Sequence, residues 1–479
     1  MLMRNSGGRR AVKRRKQPMY AVYILFCADN SYYTGLTNDL EKRFWQHETG
    51  YFPECYTFNR RPIKLVWQTR IETSEEADKL EKQIKGWSRK KKEALINNDI
   101  NEIKRLSNYK KGEPEMPLRQ AQGQIDYLII GQGISGTWLS YYLQKENKSF
   151  LVIDNNVTDS SSKIAAGLIN PVTGRRHVEV WMADKILPFA WNAYTQFGNE
   201  LGITAISQKN IIDFFPSPQM RLSFLNRIEE KGEFVYNTED QNQFRHLFNY
   251  GFGCGEIKPV YTAHTETLLP AWGKRLLEKG ALLREEFDLK YLKVSTDKIQ
   301  YKDITATKII FCDGNSSCNN SYFNLLPFAP NKGEMLIAEI PALPQDTVYK
   351  KGMMLVPLAK TGKWWVGSNY EWKFDNADPT TVFREKTEHL LKDWLKVPFS
   401  ITDHLCGIRP ATLERRPFVG FHPLYPNVGI LNGMGTKGCS LAPFFARQLV
   451  DSLCYHKPIF PEADIKRFSK ILIRRESPH

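Results

Sequence analysis

Ile125-Asp126-Tyr127-Leu128-Ile129-Ile130-Gly131-Gln132-Gly133-Ile134-Ser135-Gly136 is the stretch whose reading decides the fold of most of this chain. A short apolar strand runs into three glycines spaced GxGxxG, and a helix-like run from Thr137 to Gln144 follows. A second strand, Phe150-Leu151-Val152-Ile153, then ends on Asp154, 23 residues after Gly131. Each part has a physical job. Gly131 permits a tight turn, Gly133 lets backbone approach a pyrophosphate, and Gly136 lets the helix pack closely on the strand. The helix N-terminus at Ile134 and Ser135 offers unpaired N–H groups and partial positive charge to phosphates. Asp154 stands where a carboxylate can accept hydrogen bonds from a ribose. Strand, glycines, helix, strand and acid in that order read as a dinucleotide-binding βαβ unit.

At 479 residues the chain has room for two or three domains with full apolar cores. No run approaches 18 uninterrupted apolar residues, so no membrane span is expected. Met1 to Lys16 carries seven Lys/Arg without an apolar segment, which reads as a basic disordered tail over residues 1–18 and not as a secretory signal. The eight cysteines are scattered, with neither CxxC nor a Cys/His cluster of metal spacing, as expected of thiols in a reducing cytoplasm. The net charge of +15 is unevenly spread. Residues 1–112 carry 24 Lys/Arg against 13 Asp/Glu, whereas the remainder carries 43 against 39. A basic first part joined to a near-neutral body points to nucleic acid, DNA or RNA, as partner of the first. A solvated lysine-rich surface gives the same charge. Residues 110–124 (KKGEPEMPLRQAQGQ) have two prolines, two glycines and no amphipathic period, and read as a flexible linker between domains 19–109 and 125–479.

In the first of these, Met19 to Leu25 and Ser31 to Gly35 read as strands joined by a turn at Asp29-Asn30. Thr37 or Asn38 can cap a helix to about Glu48, on which Leu40, Arg43, Phe44 and His47 share one face. A capping box, Thr73-Ser74-Glu75-Glu76, starts a second helix burying Ala77, Leu80, Ile84 and Trp87, with Glu81 flanking that stripe. Taken singly, each polar residue here reads as salt-bridged or snorkelling; several converging on one small sheet are less ordinary. Residues 19–95 resemble a GIY-YIG nuclease domain of the small single-domain type, through AVYIL, YYTGLTNDLEKRF and EKQIKGWSRKKKEALI. The resemblance implies Tyr23 and Tyr33 as its two tyrosines, Arg43 as the phosphate-binding arginine and His47 as the helical partner. It implies Glu81 as ligand of a divalent cation, Mg2+. Such tyrosines help position or deprotonate a water, arginine neutralises the phosphate, and the cation stabilises the leaving oxygen. Ala21 and Thr34 stand where the name-giving motif has glycine and isoleucine.

From Ile125 to about Leu453 the chain resembles the D-amino-acid oxidase/glycine oxidase (DAO) family of FAD-dependent oxidoreductases. Beyond the fingerprint, Lys163 to Pro171 resembles the loop crossing the flavin, with Ala165, Ala166 and Gly167 permitting close approach. Ile309 to Gly314 resembles the strand ending on a glycine that meets the adenine half, with Cys312 and Asp313 departing from the usual residues. Asn331-Lys332-Gly333-Glu334 and Val366 to Glu371 resemble turns of the substrate domain. Gly407-Ile408-Arg409-Pro410 resembles the turn whose arginine grips the substrate carboxylate, a role suited to a bidentate guanidinium. Gly429 to Gly438 precedes a helix expected from about Leu441, and resembles the glycine-rich turn facing the flavin ring. There Gly433, Lys437 and Gly438 are the expected cofactor contacts. Cys406 lies one residue from the position where some relatives tether flavin, and reads as a small apolar group. Tyr261, His264 and Tyr370 are candidates for the pocket lining.

The expected fold is a two-domain chain of α/β and α+β class. A small GIY-YIG α/β domain precedes a Rossmann-type FAD-binding domain with an inserted antiparallel-sheet substrate domain. The resemblance implies oxidation of a C–N bond in a small amine or amino-acid substrate, by hydride transfer to flavin N5. Three arrangements remain open: a nuclease fused to an amine oxidase with unrelated substrates; a tRNA-modifying flavoprotein using the first domain as a nucleic-acid grip; and a non-catalytic DNA-binding or accidental fusion.

Overall fold

The computed structural model describes residues 20–87, 89–97, 124–230 and 232–473, Lys90 by its backbone alone. The expected basic tail and most of the expected linker lie outside the described residues. The chain divides into two compact units, Met1–Pro114 and Glu115–His479.

In the first unit, strands β1 (Tyr20–Cys27), β2 (Tyr32–Thr37) and β3 (Ile63–Ile71) form an antiparallel sheet in the order β2-β1-β3. The strand β3 has no counterpart in the sequence reading. Its apolar residues alternate imperfectly with Lys64, Gln68 and Arg70, as suits a sheet edge. Helix α1 (Leu40–Thr49) begins one residue later than expected, because Asp39 accepts from Lys42 N (3.1 Å). Thr37 Oγ1 is occupied by Asp39 itself. Helix α2 (Ser74–Lys85) starts at the expected capping box: Glu76 N donates to Thr73 Oγ1 and that hydroxyl to Glu76 Oε2. It stops before Trp87, and α3 (Arg89–Ile96) follows. Val22, Ile24, Ala77 and Ile84 form the core.

The second unit is built on two sheets. The first has the order Leu282–Leu283, Phe150–Ile153, Ile125–Ile130, Ile304–Phe311, Ile299–Tyr301, Leu292–Val294, and Val428–Asn432 also pairs in parallel with Ile304–Phe311. Both faces are covered: Tyr127 and Ile129 join one apolar cluster, Leu128 and Ile130 another. This two-sided burial explains the unbroken apolar runs that made these strands legible. The helix Ile134–Lys145 is buried all round from Ile134 to Leu143. Trp138 meets Tyr194 and Phe197 of the helix Ala183–Leu201, with ring centroids 4.9 and 5.0 Å away.

The second sheet has nine strands. Its main path starts at Val235–Asn237 and ends on the neighbouring strands Asn331–Glu339 and Ser400–Arg409. Pairing is antiparallel except between Thr347–Lys351 and Ile206–Phe214. Asn331 to Glu334 are not the expected turn. They begin a strand, opposite Arg409, Ile408, Gly407 and Cys406 in register. Val366 and Gly367 end the strand Trp364–Gly367, and Ser368 to Glu371 continue without ladder pairing apart from a bridge at Glu371. The expected C-terminal helix runs Gly438–Tyr455, three residues longer at its start.

Within this sheet Asp213 is fully buried, accepting from His177 Nε2 (2.8 Å) and pairing with Lys350 Nζ (2.7 Å). The contact fixes the hairpin Val172–Thr173/Val178–Glu179 on the sheet. Removing one partner strands buried polar groups, so Asp213→Ala is expected to destabilise the second unit by about 3–5 kcal/mol. The denaturant midpoint, read at unchanged slope, measures this.

Candidate functional site

Four of the residues singled out in the first unit meet on the sheet. Tyr23 lies directly across the β1–β2 ladder from Gly35, and a Cβ at Gly35 would stand 2.5 Å from the Tyr23 hydroxyl. Only glycine leaves that phenol its place. The hydroxyl is 3.0 Å from His47 Nε2, and His47 Nδ1 is 2.8 Å from Thr57 Oγ1. The Tyr33 ring lies 5.0 Å from the His47 ring and stacks on Tyr56 at 6.0 Å. Burial, reinforced by the nearby Arg43 charge, pushes the His47 pKa down to about 4, so the imidazole is neutral at pH 7. Burial raises the Tyr23 phenol far above its ordinary value, with Arg43 opposing the shift. Arg43 donates to Gln46 Oε1 (3.0 Å) and feels the fields of both Tyr23 and Tyr33. Thr57 and Tyr56 were not legible as members, since they lie in a loop without a motif.

Glu81 sits apart in character. Its carboxylate is mostly buried and pairs with Lys85 Nζ at 2.6 Å, one helical turn on. Among the described residues no group of three metal-ligating side chains occurs. A lone carboxylate still suits Mg2+, which retains several of its waters and takes one or two protein carboxylates.

In the second unit the glycine turn is shaped by backbone. Gly131 has φ +98°, and a Cβ there would lie 2.6 Å from Cys312 O. A Cβ on Gly136 would lie 1.8 Å from Gly131 O, so helix and strand touch backbone to backbone. Ile134 N donates to Ser162 Oγ (3.0 Å), while the N–H groups of Gly133 and Ser135 have no acceptor among the described residues. An open helix N-terminus in a glycine cradle fits the pyrophosphate of FAD. Asp154 accepts from Gln132 N (2.8 Å) and Asn156 N (2.8 Å) and pairs with Arg284 Nη1 (2.7 Å). With about four acceptor positions per carboxylate, one remains for a ribose hydroxyl. Arg284 was missed because it follows a strand of only two residues, Leu282–Leu283.

Gly167 is needed for a different reason than expected. A Cβ there would lie 1.9 Å from Ala263 O, so its φ of +71° serves strand pairing. Ala165 and Ala166 precede it, half-buried. Gly314 has φ +59° and open space around it, beside Asp313, whose burial lifts its carboxyl to about 6. Asn432 Nδ2 ties this turn to Gly433 by donating to Gly314 O (2.8 Å). Gly438 brings the two buried helices together, its missing Cβ 3.2 Å from Ile134 Cγ2. Burial and then the Arg416 and Arg415 charges lower the Lys437 pKa. No acceptor for its ammonium occurs among the described residues.

Arg409 ends its strand with the guanidinium laid across Gly333, where a Cβ would meet Nη2 at 1.9 Å. It donates to Asn331 Oδ1 (2.6 Å), Ser368 Oγ (2.7 Å) and Asn369 O (3.2 Å), and Tyr370 lies 4.9 Å from it. All these acceptors are neutral. Burial lowers the Arg409 pKa, as expected of a desolvated charge without a counter-ion. Of its five N–H groups, Nε–H and one on Nη2 remain undonated among the described residues.

Of these acceptors Asn369 is held by Glu334, buried completely on the opposite face of the strand, and Asn331 by Glu371 O (3.2 Å). The Glu334 carboxylate accepts from Thr380 N (2.6 Å), Thr380 Oγ1 (2.9 Å) and Asn369 Nδ2 (3.4 Å), and lies 3.1 Å from His404 Nε2. Glu334 N also donates to Asn369 Oδ1 (2.7 Å), which locks the segment carrying Ser368 and Asn369. Cys406, its neighbour across the ladder, has its thiol pushed up to about 11 by burial. Tyr370 joins Arg409, but Tyr261 and His264 do not. Tyr261 packs on Trp191, and both His264 nitrogens are taken by Ser207 Oγ and Thr204 O, each at 3.0 Å.

Comparison with known proteins agrees with both units. The model of the GIY-YIG catalytic domain matches residues 19–94, and that of FAD dependent oxidoreductases matches residues 126–452. The UPF0213 protein of Staphylococcus saprophyticus is 47% identical over 75 residues, 16% of this chain and 90% of that protein. A UPF0213 protein of Listeria innocua is 41% identical over 83 residues, 17% of this chain and 90% of its own. Among solved structures, glycine oxidase from Geobacillus kaustophilus is similar with a TM-score of 0.59 at 20% identity, covering 74% of this chain and 100% of that one. Iminodiacetate oxidase from Chelativorans sp. BNC1 gives 0.57 at 20% identity, covering 72% and 98%. L-α-Glycerophosphate oxidase from Mycoplasma pneumoniae, with FAD bound, gives 0.55 at 14% identity, covering 71% and 97%. At such identities these three establish the fold alone. With its βαβ cradle, two-sheet architecture and matched length, the chain belongs to the FAD dependent oxidoreductase family and carries a GIY-YIG domain ahead of it.

Proposed function

We propose that the second unit oxidises the C–N bond of a small amine bearing a carboxylate, an amino-acid-like substrate. The observation that carries this reading is Arg409: a desolvated guanidinium with neutral partners and two undonated N–H groups. A carboxylate supplies the missing charge and accepts both hydrogens in one bidentate contact. Arg409 binds it, Asn331 and Ser368 orient the guanidinium, and Glu334 holds Asn369 and Ser368 in place from behind. Tyr370, its ring 4.9 Å from the guanidinium, adds a cation–π contact that helps hold the group in place. Gly131, Gly133, Ile134, Ser135 and Gly136 would hold the FAD diphosphate, Asp154 the ribose, and Gly314, Ala165, Ala166 and Gly167 the path toward the ring. Gly433, Gly438 and Lys437 would face the ring, where positive charge favours the reduced anion. FAD bound there would supply a two-electron acceptor for the hydride on the carbon beside nitrogen, so that the nitrogen lone pair would close a C=N bond and water would hydrolyse the imine. No side chain need take a proton if the amine arrives neutral, which suits His264 being fully engaged elsewhere.

For the first unit we infer metal-dependent cleavage of a nucleic-acid phosphodiester. Tyr23 and Tyr33 would position the attacking water, Arg43 would contact the phosphate, and Glu81 would hold Mg2+ once released by Lys85. The neutral His47, between Tyr23 and Thr57, can accept a proton from the Tyr23 side. A second reading, in which this unit grips RNA for a flavoenzyme acting on tRNA, is favoured by the basic charge of residues 1–112. The eight unpaired thiols favour a reducing, cytoplasmic setting, and no described helix is long and apolar enough to cross a membrane.

The purified protein is expected to be yellow, with flavin absorbance bleached by small amino acids. Arg409→Gln removes charge-assisted hydrogen bonds worth about 1.5–3 kcal/mol each, so kcat/KM for a carboxylate-bearing amine should fall at least about 100-fold. A matched amine without the carboxylate should be affected much less; equal losses would refute the clamp. Nicking of branched or duplex DNA with Mg2+ should vanish in Glu81→Ala, and nicking that persists identifies a contaminant.

His47 supplies a pH prediction. Its folded pKa lies below the unfolded value of about 6.5, so between pH 6.5 and 4 the unfolded chain binds the extra proton. Stability of the first unit should therefore fall as pH is lowered through that window. His47→Gln should flatten the dependence, as read by thermal melts.

A further inference from the structure

We propose that the second unit carries an anion site, far from Arg409, that takes the phosphate of a nucleotide. Three cations from separate segments meet around an open cleft of about 400 Å3: Arg245, Lys351 at a hairpin turn, and Lys396. No acidic side chain lines it. Among the described residues each cation donates to neutral oxygens. Lys351 Nζ reaches Asn249 O (2.9 Å), Lys396 Nζ reaches Arg245 O (2.7 Å), and Arg245 Nε reaches Asn242 Oδ1 (2.7 Å). Elsewhere in this unit Lys350 is matched by Asp213 and Lys363 by Glu339. Asp393 is the acid whose field reaches Lys351, and it forms no ion pair with it among the described residues.

Like charges confined to one cleft repel, and a bound anion removes that repulsion. The cleft is built and not incidental. Asn249 N donates to Trp394 O (2.7 Å) and Lys396 N to Leu247 O (2.8 Å), so two of the segments are joined by backbone. Lys351 is half-buried, and desolvation lowers its pKa, as for an ammonium lacking a counter-ion.

Lys396 also lines a neighbouring open groove of about 590 Å3, whose other walls are the apolar Leu395, Val397, Pro398, Phe399 and Ile401 and the charged Arg384, Glu388 and Lys392. Cationic cleft and mixed groove, sharing one lysine, fit a ligand with a phosphate at one end and, at the other, a body with both an apolar face and hydrogen-bonding edges. A nucleotide has that form, whether free or within a strand. The site precedes Ser400, and Arg409 ends the same strand, so roughly 30 Å separates them at ~3.3 Å per residue. It is therefore independent of the carboxylate clamp.

The test uses the full chain at low salt. Inorganic phosphate and uridine monophosphate are titrated by calorimetry, and lysine acylation is mapped by peptide mass spectrometry in parallel. We expect both to bind, the nucleotide at least about tenfold tighter, and Lys351 and Lys396 to lose several-fold of their labelling. K351Q and K396Q should each weaken binding about tenfold or more, while Arg409→Gln leaves it unchanged. Labelling of the unmutated protein decides the matter should a variant fold poorly. A single-stranded oligonucleotide that protects the same two lysines assigns the nucleotide to a strand; protection by the monophosphate alone assigns it to the free form. Absence of binding at millimolar phosphate, or binding that leaves both lysines equally reactive, would overturn the proposal.

Discussion

The second unit depends on a contact in which no side chain takes part. Where the strand Ile125–Ile130 turns into the helix Ile134–Lys145, the space for a Cβ on Gly136 is already filled by the Gly131 carbonyl, and that for one on Gly131 by Cys312 O. Backbone is thus pressed against backbone on two sides of one turn. The result is a helix N-terminus at the carboxyl end of the sheet's parallel strands, where Ile134 N donates to Ser162 Oγ and the N–H groups of Gly133 and Ser135 have no acceptor among the described residues. That sheet is itself fixed by apolar clusters on both faces. A diphosphate would find there a helix dipole and two donors with no acceptor among the described residues. Any larger residue at these glycines would displace the helix, and with it the packing of Gly438 on Ile134 that sets the C-terminal glycine turn.

At Arg409 the organising fact is electrostatic. Arg409 is held by an amide, a hydroxyl and a carbonyl, none of which cancels its charge. The charge that would be conveniently near, Glu334, is turned to the other face of the strand and saturated by Thr380, Asn369 and His404. Strand alternation thus separates an arginine from a carboxylate only three residues away from its cross-strand partner, Asn331. The carboxylate orders Asn369 without neutralising the arginine, which leaves the guanidinium available to a ligand.

The first unit achieves a comparable effect by different means. His47 is kept neutral by burial and by the Arg43 charge, and is held between two hydroxyls. Gly35 leaves room for one of those hydroxyls. Each unit has its own core and its own polar centre, so the fusion does not oblige either chemistry to serve the other. A nucleic-acid grip for the flavoenzyme and two unrelated activities are both compatible with such an arrangement.

What the amino-acid order determined by itself was whatever local spacing can encode. The strand–glycine–helix–strand fingerprint and the capping box at Thr73 were legible because each depends on neighbours within a few turns of chain, whereas Arg409 was singled out by its resemblance to a family turn. The tertiary structure decided the rest. It revealed β3, whose alternation is too weak to read, and it showed Asn331–Glu334 as a strand because Ser400–Arg409 pairs with it. It engaged Asp154 with Arg284 across 130 residues and tied both His264 nitrogens into a remote strand and loop. It also assigned Gly167 to strand pairing, since the carbonyl that demands a glycine belongs to Ala263. Long-range partners leave no periodic trace in a sequence; hydrogen bonds and close contacts form only once distant segments have been packed side by side.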